Sequence, residues 1–229
     1  MRIALAQLNY TVGDIKANTA KIIDAIERAK AQNADLVAFA EFAVCGTPAY
    51  GLLTKTTFLE LCEEAIESIV TKCRGIAAIV GTPYLTAEGP ISAAAFIDGK
   101  GNIEYIGKRH VSARREMGYI VGSSIGSQTI DVAGSKLKVV VGDDLSYIEE
   151  IGEEVDLVIS VNARRYGKGI LSRRFDNISR FAFAEGKNIM LINQVGGSGD
   201  IVYDGTSGIL NCEGRLVMLL NSFEEDFRI

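Results

Sequence analysis

Ionisable residues that follow apolar runs are the first candidates for chemistry in this sequence. Glu41 directly follows the apolar run Leu36–Ala40, and Lys108 follows the strand-like run Ile103–Ile106 after one glycine. The pair Asp143-Asp144 follows Val139-Val140-Val141, also after one glycine. Open α/β sheets present such groups to a ligand at the ends of their strands. A carboxylate there can act as a general base, a lysine can stabilise an oxyanion, and a residue at a strand-to-helix corner can be a nucleophile.

Each residue also has an interpretation without chemistry. Glu41 is compatible with a helix cap or a solvated carboxylate, and Lys108 with a solvated strand end. Asp144 has the type expected of an N-cap for a following helix. Taken singly, these residues therefore do not define a site.

The cysteines and the single histidine form no recognisable metal or disulfide pattern. No Cys-x-x-Cys pair occurs among Cys45, Cys62, Cys73 and Cys212, and His110 cannot supply a usual second zinc ligand. Cys62 falls on the apolar stripe of a predicted helix, where a thiol acts as a small hydrophobe. We expect no metal, no cofactor and no disulfide.

Composition restricts the class of protein and its partners. The 229 residues are 48% apolar with 3 prolines, which predicts one globular domain over residues 1–229. The net charge of -5, without a dense basic run, argues against nucleic acid and against an anionic membrane as partner. The apolar start at residues 3–6 is interrupted at Gln7 and Asn9, too early for a signal peptide, so we expect a cytoplasmic protein.

The pattern of elements predicts an α/β fold. Short apolar runs rich in β-branched residues predict buried strands; these are Ile3–Leu8, Leu36–Ala40, Ile76–Val80, Ala93–Ile97, Ile103–Ile106, Leu137–Val141, Leu157–Val161 and Ile189–Ile192. Apolar residues at four-three-four spacing predict three amphipathic helices; their stripes run from Ile15 to Ala29, Phe58 to Ile69 and Leu171 to Ala182.

Glycine-containing segments indicate turns and mixed sheets. Residues 98–101 and 211–214 are turn signals between strand-like runs, so hairpins accompany the βα units. Residues 195–199, Val-Gly-Gly-Ser-Gly, lack the lysine of a P-loop and do not open a helix. We therefore predict a loop there and no nucleotide site.

The order of these segments resembles the nitrilase (carbon-nitrogen hydrolase) superfamily across nearly the whole chain. The segments that carry the resemblance are residues 2–9, 35–46, 107–108, 193–197 and 204–207, together with Glu116. The resemblance implies that Glu41 is the catalytic glutamate, Lys108 the catalytic lysine and Glu116 a supporting glutamate. It also implies an α-β-β-α sandwich of two mixed sheets, assembled as a homodimer or larger homo-oligomer through helical faces.

Within this superfamily the chain most resembles the glutaminase domain of glutamine-dependent NAD synthetases. Residues 4–10, 43–48 and 223–227 carry that resemblance. Such domains hydrolyse glutamine and pass ammonia to an ATP-dependent ligase domain, which we do not expect in this chain. We also expect shorter loops than in the family around residues 108–116 and after Tyr147. A separate synthetase subunit is an implied partner.

The nucleophile position departs from the family pattern. Where the family has a strand followed by cysteine, an acidic residue, aspartate and leucine, this chain has Gly142-Asp143-Asp144-Leu145. Glycine has no side chain to attack a carbonyl. In a well-studied serine protease, removal of the nucleophile costs on the order of a millionfold in turnover. We therefore expect the thioester route to be lost.

Other residues could compensate for, or redirect, this site. Cys45 is the thiol nearest to Glu41 in sequence, and Asp143 is a carboxylate beside Gly142, although carboxylates attack amides poorly. The backbone N–H of Asp143 could still serve an oxyanion hole. We predict Asp143, Asn162 and Arg164 as substrate-binding residues, because Asn162 and the Arg164-Arg165-Tyr166 segment follow a strand where the family lines its pocket.

Arg164 and Arg165 also predict either a basic cavity mouth for an anionic ligand or a solvated loop. Residues 47–52, Thr-Pro-Ala-Tyr-Gly-Leu, offer no carboxylate to hold an α-amino group, so recognition of glutamine itself is not implied.

Three hypotheses for function follow. The favoured one is an amidase-like pseudoenzyme that binds a small amide or carboxylate, or partners a synthetase. The second is an active amide hydrolase that uses Cys45 or Asp143. The third is a structural or interaction subunit whose pocket has collapsed.

Overall fold

Two six-stranded mixed sheets form the centre of the protein. The computed structural model describes residues 1–111, 116, 118–148 and 151–229. The first sheet has the order β14-β1-β2-β3-β4-β5. Its strands are β1 (Ile3–Gln7), β2 (Leu36–Ala38), β3 (Ala77–Thr86), β4 (Gly89–Ile97), β5 (Ile103–Gly107) and β14 (Asp226–Arg228). Strands β1, β2 and β3 are parallel, and the remaining pairs are antiparallel.

The second sheet has the order β13-β12-β9-β8-β7-β6. Its strands are β6 (Thr129–Val132), β7 (Ser135–Val141), β8 (Leu157–Val161), β9 (Asn188–Ile192), β12 (Gly208–Leu210) and β13 (Leu216–Leu219). Strands β7, β8 and β9 are parallel, with antiparallel partners outside them. A separate antiparallel hairpin consists of β10 (Val195–Ser198) and β11 (Ile201–Asp204).

Helices cover the outer faces of the two sheets. The apolar faces of α1 (Ile15–Ala31) and α2 (Thr56–Val70) join one core cluster with the first sheet, and α3 (Ile170–Glu185) joins another with the second sheet. A third cluster lies between the sheets, where Leu5 and Leu36 share a core with Val139 and Ile159. Because side chains alternate along a strand, each buried strand contributes side chains both to the core between the sheets and to the core beneath the helices. The predicted four-layer sandwich is confirmed.

The predicted helices and strands are present, with some changes in extent. Strands β3 and β4 extend well beyond the apolar runs because they continue as a long hairpin. The predicted loop at residues 195–199 is wrong, because Val195–Ser198 pairs with β11 as a strand. Both turn signals connect antiparallel strands, as predicted. The strands that were not predicted are short or exposed: β6, β11, β12, β13 and β14.

Within the described residues, no helix combines the length and apolarity needed to cross a membrane. The expected loop shortening around residues 108–116 and after Tyr147 involves residues 112–115, 117 and 149–150, which lie outside the described residues.

Candidate active site

The candidate residues converge where strands of both sheets end. Glu41 lies three residues beyond β2, and Lys108 directly follows β5, both in the first sheet. Gly142 directly follows β7, and Arg164 lies three residues beyond β8, both in the second sheet. The N–H of Glu41 donates to the carbonyl of Asn162 at 3.1 Å, which joins the two groups of strand ends.

A buried ion cluster lies at the base of the site. Lys108 Nζ lies 3.3 Å from Glu41 Oε1 and 2.8 Å from Glu116 Oε2. The side chains of Lys108 and Glu41 are only 2% and 4% exposed. The hydroxyl of Ser92 donates to Glu41 Oε1 at 2.7 Å, so this carboxylate has a neutral donor as well as a cation. The structure thus brings together all three side chains that the sequence predicted.

The cluster shares one cation between two carboxylates. Burial alone would lower the pKa of Lys108, but the charges of Glu41 and Glu116 outweigh burial and raise its pKa. The pKa of Glu116 is also raised, because burial and then the charge of Glu41 oppose its ionisation more strongly than Lys108 favours it. Lys108 is therefore held as a cation, which suits hydrogen-bond donation and not nucleophilic attack.

Gly142 leaves the nucleophile position without a side chain. Its φ of 60° lies in the left-handed region, and it begins a 3-10 helix over Gly142–Tyr147. A Cβ built at this position would lie 2.7 Å from both Cε and Nζ of Lys108 and 3.1 Å from Glu41 Oε1. The end of the Lys108 side chain therefore reaches into the space where a nucleophilic side chain would begin.

Arg164 lies over this glycine. Its Nη2 donates to the carbonyl of Gly142 at 3.4 Å and lies 3.7 Å from Asp143 Oδ1. Its Nε donates to Asn162 Oδ1 at 2.9 Å. Burial lowers the pKa of the guanidinium, and the charge of Asp143 opposes this. Arg164 and Asp143 both line the cavity described below.

Asn162 lies beneath the cavity and not on its lining. It is 2% exposed, and its amide nitrogen donates to the carbonyl and hydroxyl oxygens of Ser160. Its side-chain oxygen accepts from Arg164. The predicted role of Asn162 in binding would therefore act through the position of Arg164 and not through direct contact with a ligand.

Asp144 joins the segment after Lys108 to the segment after Gly142. Its buried carboxylate accepts the backbone N–H groups of Arg109 and His110, both at 2.8 Å. It also lies 3.1 Å from His110 Nδ1. Asp144 lies within the 3-10 helix and does not cap a following helix, so it ties the segment after Lys108 to the segment after Gly142.

Cys45 is poorly placed as a substitute nucleophile. It is completely buried, its Sγ donates to the carbonyl of Gly46 at 3.3 Å, and it does not line the cavity. Burial, with a contribution from neighbouring Cys62, raises the pKa of its thiol. Only a thiolate is an effective nucleophile, so this environment disfavours the relocated route through Cys45.

A cavity of about 870 Å³ opens above the ion cluster. Arg164 and Arg165, which the sequence offered as either a basic mouth or a solvated loop, line this cavity, and the structure adds Arg173 and Arg174 from the N-terminal half of α3. The spacing of apolar residues in α3 predicts only which face of the helix is buried, so it does not indicate that Arg173 and Arg174 line a cavity. Arg174 is buried on that stripe because it pairs with Asp204, at 3.5 Å from Nη1 to Oδ1.

Aromatic side chains form another part of the cavity wall. Tyr50 and Tyr119 pack with ring centroids 5.3 Å apart, and Tyr203 projects from β11. Burial raises the pKa of Tyr203, whose hydroxyl pairs with Thr47. No periodic pattern predicts these three residues, since each lies in a short or irregular element. Among the described residues, no group of three His, Cys, Asp or Glu side chains is arranged to hold a metal ion.

The fold and the arrangement of these residues define a class. Residues 2–229 match the carbon-nitrogen hydrolase family, and the chain belongs to that family. Within it, the chain resembles the glutaminase domain of glutamine-dependent NAD synthetases. It is 32% identical over 226 residues to the glutamine-dependent NAD(+) synthetase of Xanthomonas campestris, covering 94% of this chain and 41% of that protein. It is 30% identical to the synthetase of Xylella fastidiosa, covering 100% of this chain and 44% of that protein.

Solved structures show the same fold. The glutamine-dependent NAD+ synthetase of Acinetobacter baumannii superposes with a TM-score of 0.88 at 28% identity, covering 99% of this chain and 44% of that one. An amidase from Nesterenkonia sp. superposes with a TM-score of 0.84 at 23% identity, covering 99% and 88%. The chain therefore spans less than half of the length of its synthetase relatives.

Proposed function

We propose that this carbon-nitrogen hydrolase homologue binds a small amide in its cavity without cleaving it through a thioester. The observation that carries the proposal is Gly142, which stands where the family pattern has cysteine and has no attacking atom. Cε and Nζ of Lys108 lie 2.7 Å from the position that a Cβ of residue 142 would take. The ammonium group of Lys108 therefore lies within contact distance of the position where a cysteine side chain at residue 142 would begin.

The remaining groups suit recognition of a carboxamide. The Glu41 carboxylate can accept an amide N–H, and the Lys108 ammonium can donate to the amide carbonyl. Both are fixed in a buried site, where such hydrogen bonds are stronger than in water. An amide would be held at the base of the cavity, with the rest of the ligand towards the arginines and tyrosines.

A covalent probe separates this proposal from an active hydrolase. In a glutamate-to-glutamine mutant of the Nesterenkonia amidase, the acetamide moiety of fluoroacetamide is added covalently at the active-site cysteine. We expect intact-mass spectra of the wild-type protein to show no adduct after incubation with fluoroacetamide. An adduct on Cys45 or Asp143 would support a relocated nucleophile.

Turnover is the direct test of the proposal. We expect no ammonia from glutamine or simple carboxamides with the wild-type protein, while calorimetry detects carboxamide binding. Gly142→Cys should form the fluoroacetamide adduct if the cavity and ion cluster are intact. Ammonia release by the wild-type protein at the rate of an active amidase would overturn the proposal. Absence of carboxamide binding would instead favour a structural or interaction subunit.

We also propose that the protein assembles with itself through helical faces and partners a separate synthetase subunit. The second part rests on its relatives, in which the matched region is 41–44% of a glutamine-dependent NAD(+) synthetase. Light scattering of the purified protein, alone and mixed with an NAD synthetase subunit, tests both parts.

A further inference from the structure

We infer that the mouth of the cavity is a carboxylate subsite formed by Arg164, Arg165 and Arg173. The favoured ligand is then an amide that carries a carboxylate and no ammonium group. The inference rests on the proposed function, because it places the amide end of the ligand at Glu41 and Lys108.

Charge is distributed unevenly from the base of the cavity to its mouth. At the base, the charge of Lys108 is compensated by Glu41 and Glu116. The side chains of Lys108 and Glu41 are almost completely buried. At the mouth, Arg165 and Arg173 are exposed. Asp143 is the one acidic residue that lines the cavity outside the ion cluster, among the residues described. The cavity is therefore basic where solvent enters it.

Two of the mouth arginines have no acidic partner within the described part of the chain. Arg173 makes one hydrogen bond, from its Nε to the carbonyl of Gly169 at 3.1 Å. The side chain of Arg165 likewise forms no ion pair with a described carboxylate. A guanidinium matches a carboxylate geometrically through two parallel hydrogen bonds, so both side chains can bind one.

Arg174 has a different role from its neighbours. Its side chain is 6% exposed and pairs with Asp204, and its Nη2 donates to the carbonyl of Arg165 at 3.3 Å. Its charge is therefore already compensated, and it fixes the backbone of Arg165 at the cavity mouth. Arg174 is a positioning residue of the subsite.

Arg164 links the mouth to the vacant nucleophile position. It is 25% exposed on its side chain, and its nearest described carboxylate is Asp143, at 3.7 Å and 40% exposed. This distance is too long for a hydrogen bond, so the pair leaves guanidinium N–H groups available to a ligand. An anion bound here would face Arg164 and Arg173 together.

The same mouth disfavours an ammonium group. The segment Thr47-Pro48-Ala49-Tyr50 lines the cavity without any charge, and Asp143 is already beside Arg164. An α-amino acid would bring its positive charge towards three arginines. The structure therefore favours the desamino form of an amino-acid amide over the amino acid itself.

Three probes of nearly equal size test the subsite by isothermal titration calorimetry. Glutaramate carries an amide and a carboxylate, glutamine adds an ammonium group, and glutaramide replaces the carboxylate with a neutral amide. We expect glutaramate to bind at least about tenfold more tightly than either, which corresponds to about 1.4 kcal/mol. Equal or tighter binding of glutamine, or of glutaramide, would overturn the inference.

Matched variants assign the effect to the mouth. The double variant Arg165→Gln with Arg173→Gln should weaken glutaramate binding about tenfold and leave glutaramide binding unchanged. Arg180→Gln removes an exposed arginine of the same helix that does not line the cavity, and should change neither affinity. Unchanged glutaramate affinity in the double variant, with a wild-type melting temperature, would overturn the inference.

The outcomes separate this inference from the proposed function. If glutaramide binds and glutaramate binds no more tightly, the carboxylate subsite is wrong and amide binding stands. If the wild-type protein hydrolyses glutaramate, the proposed function is wrong, while the order of affinities still decides the subsite. Absence of binding by all three probes would overturn both.

Discussion

The guanidinium of Arg164 donates to the carbonyl oxygen of Gly142, 3.4 Å from its Nη2. A basic residue of the second sheet thus lies against the backbone of the position that lacks a nucleophile. The left-handed conformation of Gly142 and the position of Lys108 complete this arrangement. The contribution of these contacts to the free energy of unfolding, and the ionisation of the groups that make them, can be tested separately from any activity.

A side chain at position 142 should be costly but tolerated. We expect Gly142→Ala and Gly142→Cys to lower the free energy of unfolding by about 1–2 kcal/mol, because an L-residue is strained at this φ. The end of Lys108, a flexible side chain, must also move. Urea denaturation measures the change.

Gly134→Ala is the matched control, since Gly134 has a φ of 79° and open space around its Cβ position. It reports backbone strain alone, so Gly142→Ala should cost at least as much. A Gly142→Ala variant as stable as the wild type would contradict the geometry of the site.

Removal of the shared cation should destabilise the protein strongly. We expect Lys108→Met to cost about 3–5 kcal/mol at pH 7, because it leaves Glu41 and Glu116 buried without their partner. Lys136→Met is the control, since its pair with Asp131 is exposed and 3.7 Å long, and should cost less than about 1 kcal/mol.

Lower pH should partly rescue Lys108→Met. The pKa of Glu116 is already raised in the wild type and should rise further without the cation. A carboxyl whose folded pKa exceeds its unfolded value of about 4.3 binds more protons when folded, so stability increases as the pH falls through the folded pKa. Urea denaturation from pH 7 to pH 5 should show this increase, and a decrease would refute the assignment.

The residues of this site that the sequence predicts are those that follow strand-like runs and occur in the same order as in the family. Glu41 and Lys108 follow runs that form β2 and β5, and the family resemblance, not either run alone, predicted that they share a site. The arrangement of Arg173 and Arg174 did not follow, because burial of Arg174 depends on Asp204, which lies 30 residues away in β11. The prediction of a loop at residues 195–199 is wrong for a similar reason, because a contact with another segment decides the structure. The glycines indicate a loop, but Val195–Ser198 forms a strand by pairing with β11.

Alkaline pH should destabilise the folded protein. The pKa values of Tyr10, Tyr203 and Lys108 are all raised in the folded state, for the tyrosines mainly through burial. Their contribution is complete below the unfolded pKa values of about 10 and is lost as the pH rises further, because unfolding then releases protons. We expect the free energy of unfolding to fall between pH 9 and pH 11.

Tyr203→Phe should reduce the slope of this fall by up to about 1.4 kcal/mol per pH unit. Tyr166→Phe, which alters a tyrosine that is 45% exposed, is the matched control for loss of a tyrosine hydroxyl. Equal slopes for the wild type and Tyr203→Phe would show that Tyr203 does not contribute.

Thiol labelling should distinguish one cysteine from the other three. Cys212 is exposed, whereas Cys45, Cys62 and Cys73 are buried. Burial raises the pKa of Cys45, and it raises that of Cys73 to about 12. We expect iodoacetamide to label the native protein at Cys212 alone, as measured by peptide mapping.

Cys212→Ser should then remain unlabelled when native and take up three labels in urea. Rapid native labelling of Cys45 would show an accessible thiol near Glu41 and revive the hypothesis of a relocated nucleophile.

The polar contacts of the site also connect the two halves of the sandwich. The N–H of Glu41, from the first sheet, donates to Asn162 of the second, and the Asp144 carboxylate of the second sheet accepts from Arg109 and His110 of the first. These contacts use backbone groups of Glu41, Asn162, Arg109 and His110 together with the Asp144 carboxylate, so they join the two sheets whether or not a substrate is turned over. Among them, the Asp144 carboxylate is the one side chain that a substitution could remove, so the relative position of the two sheets at the base of the cavity depends on a residue that does not line it.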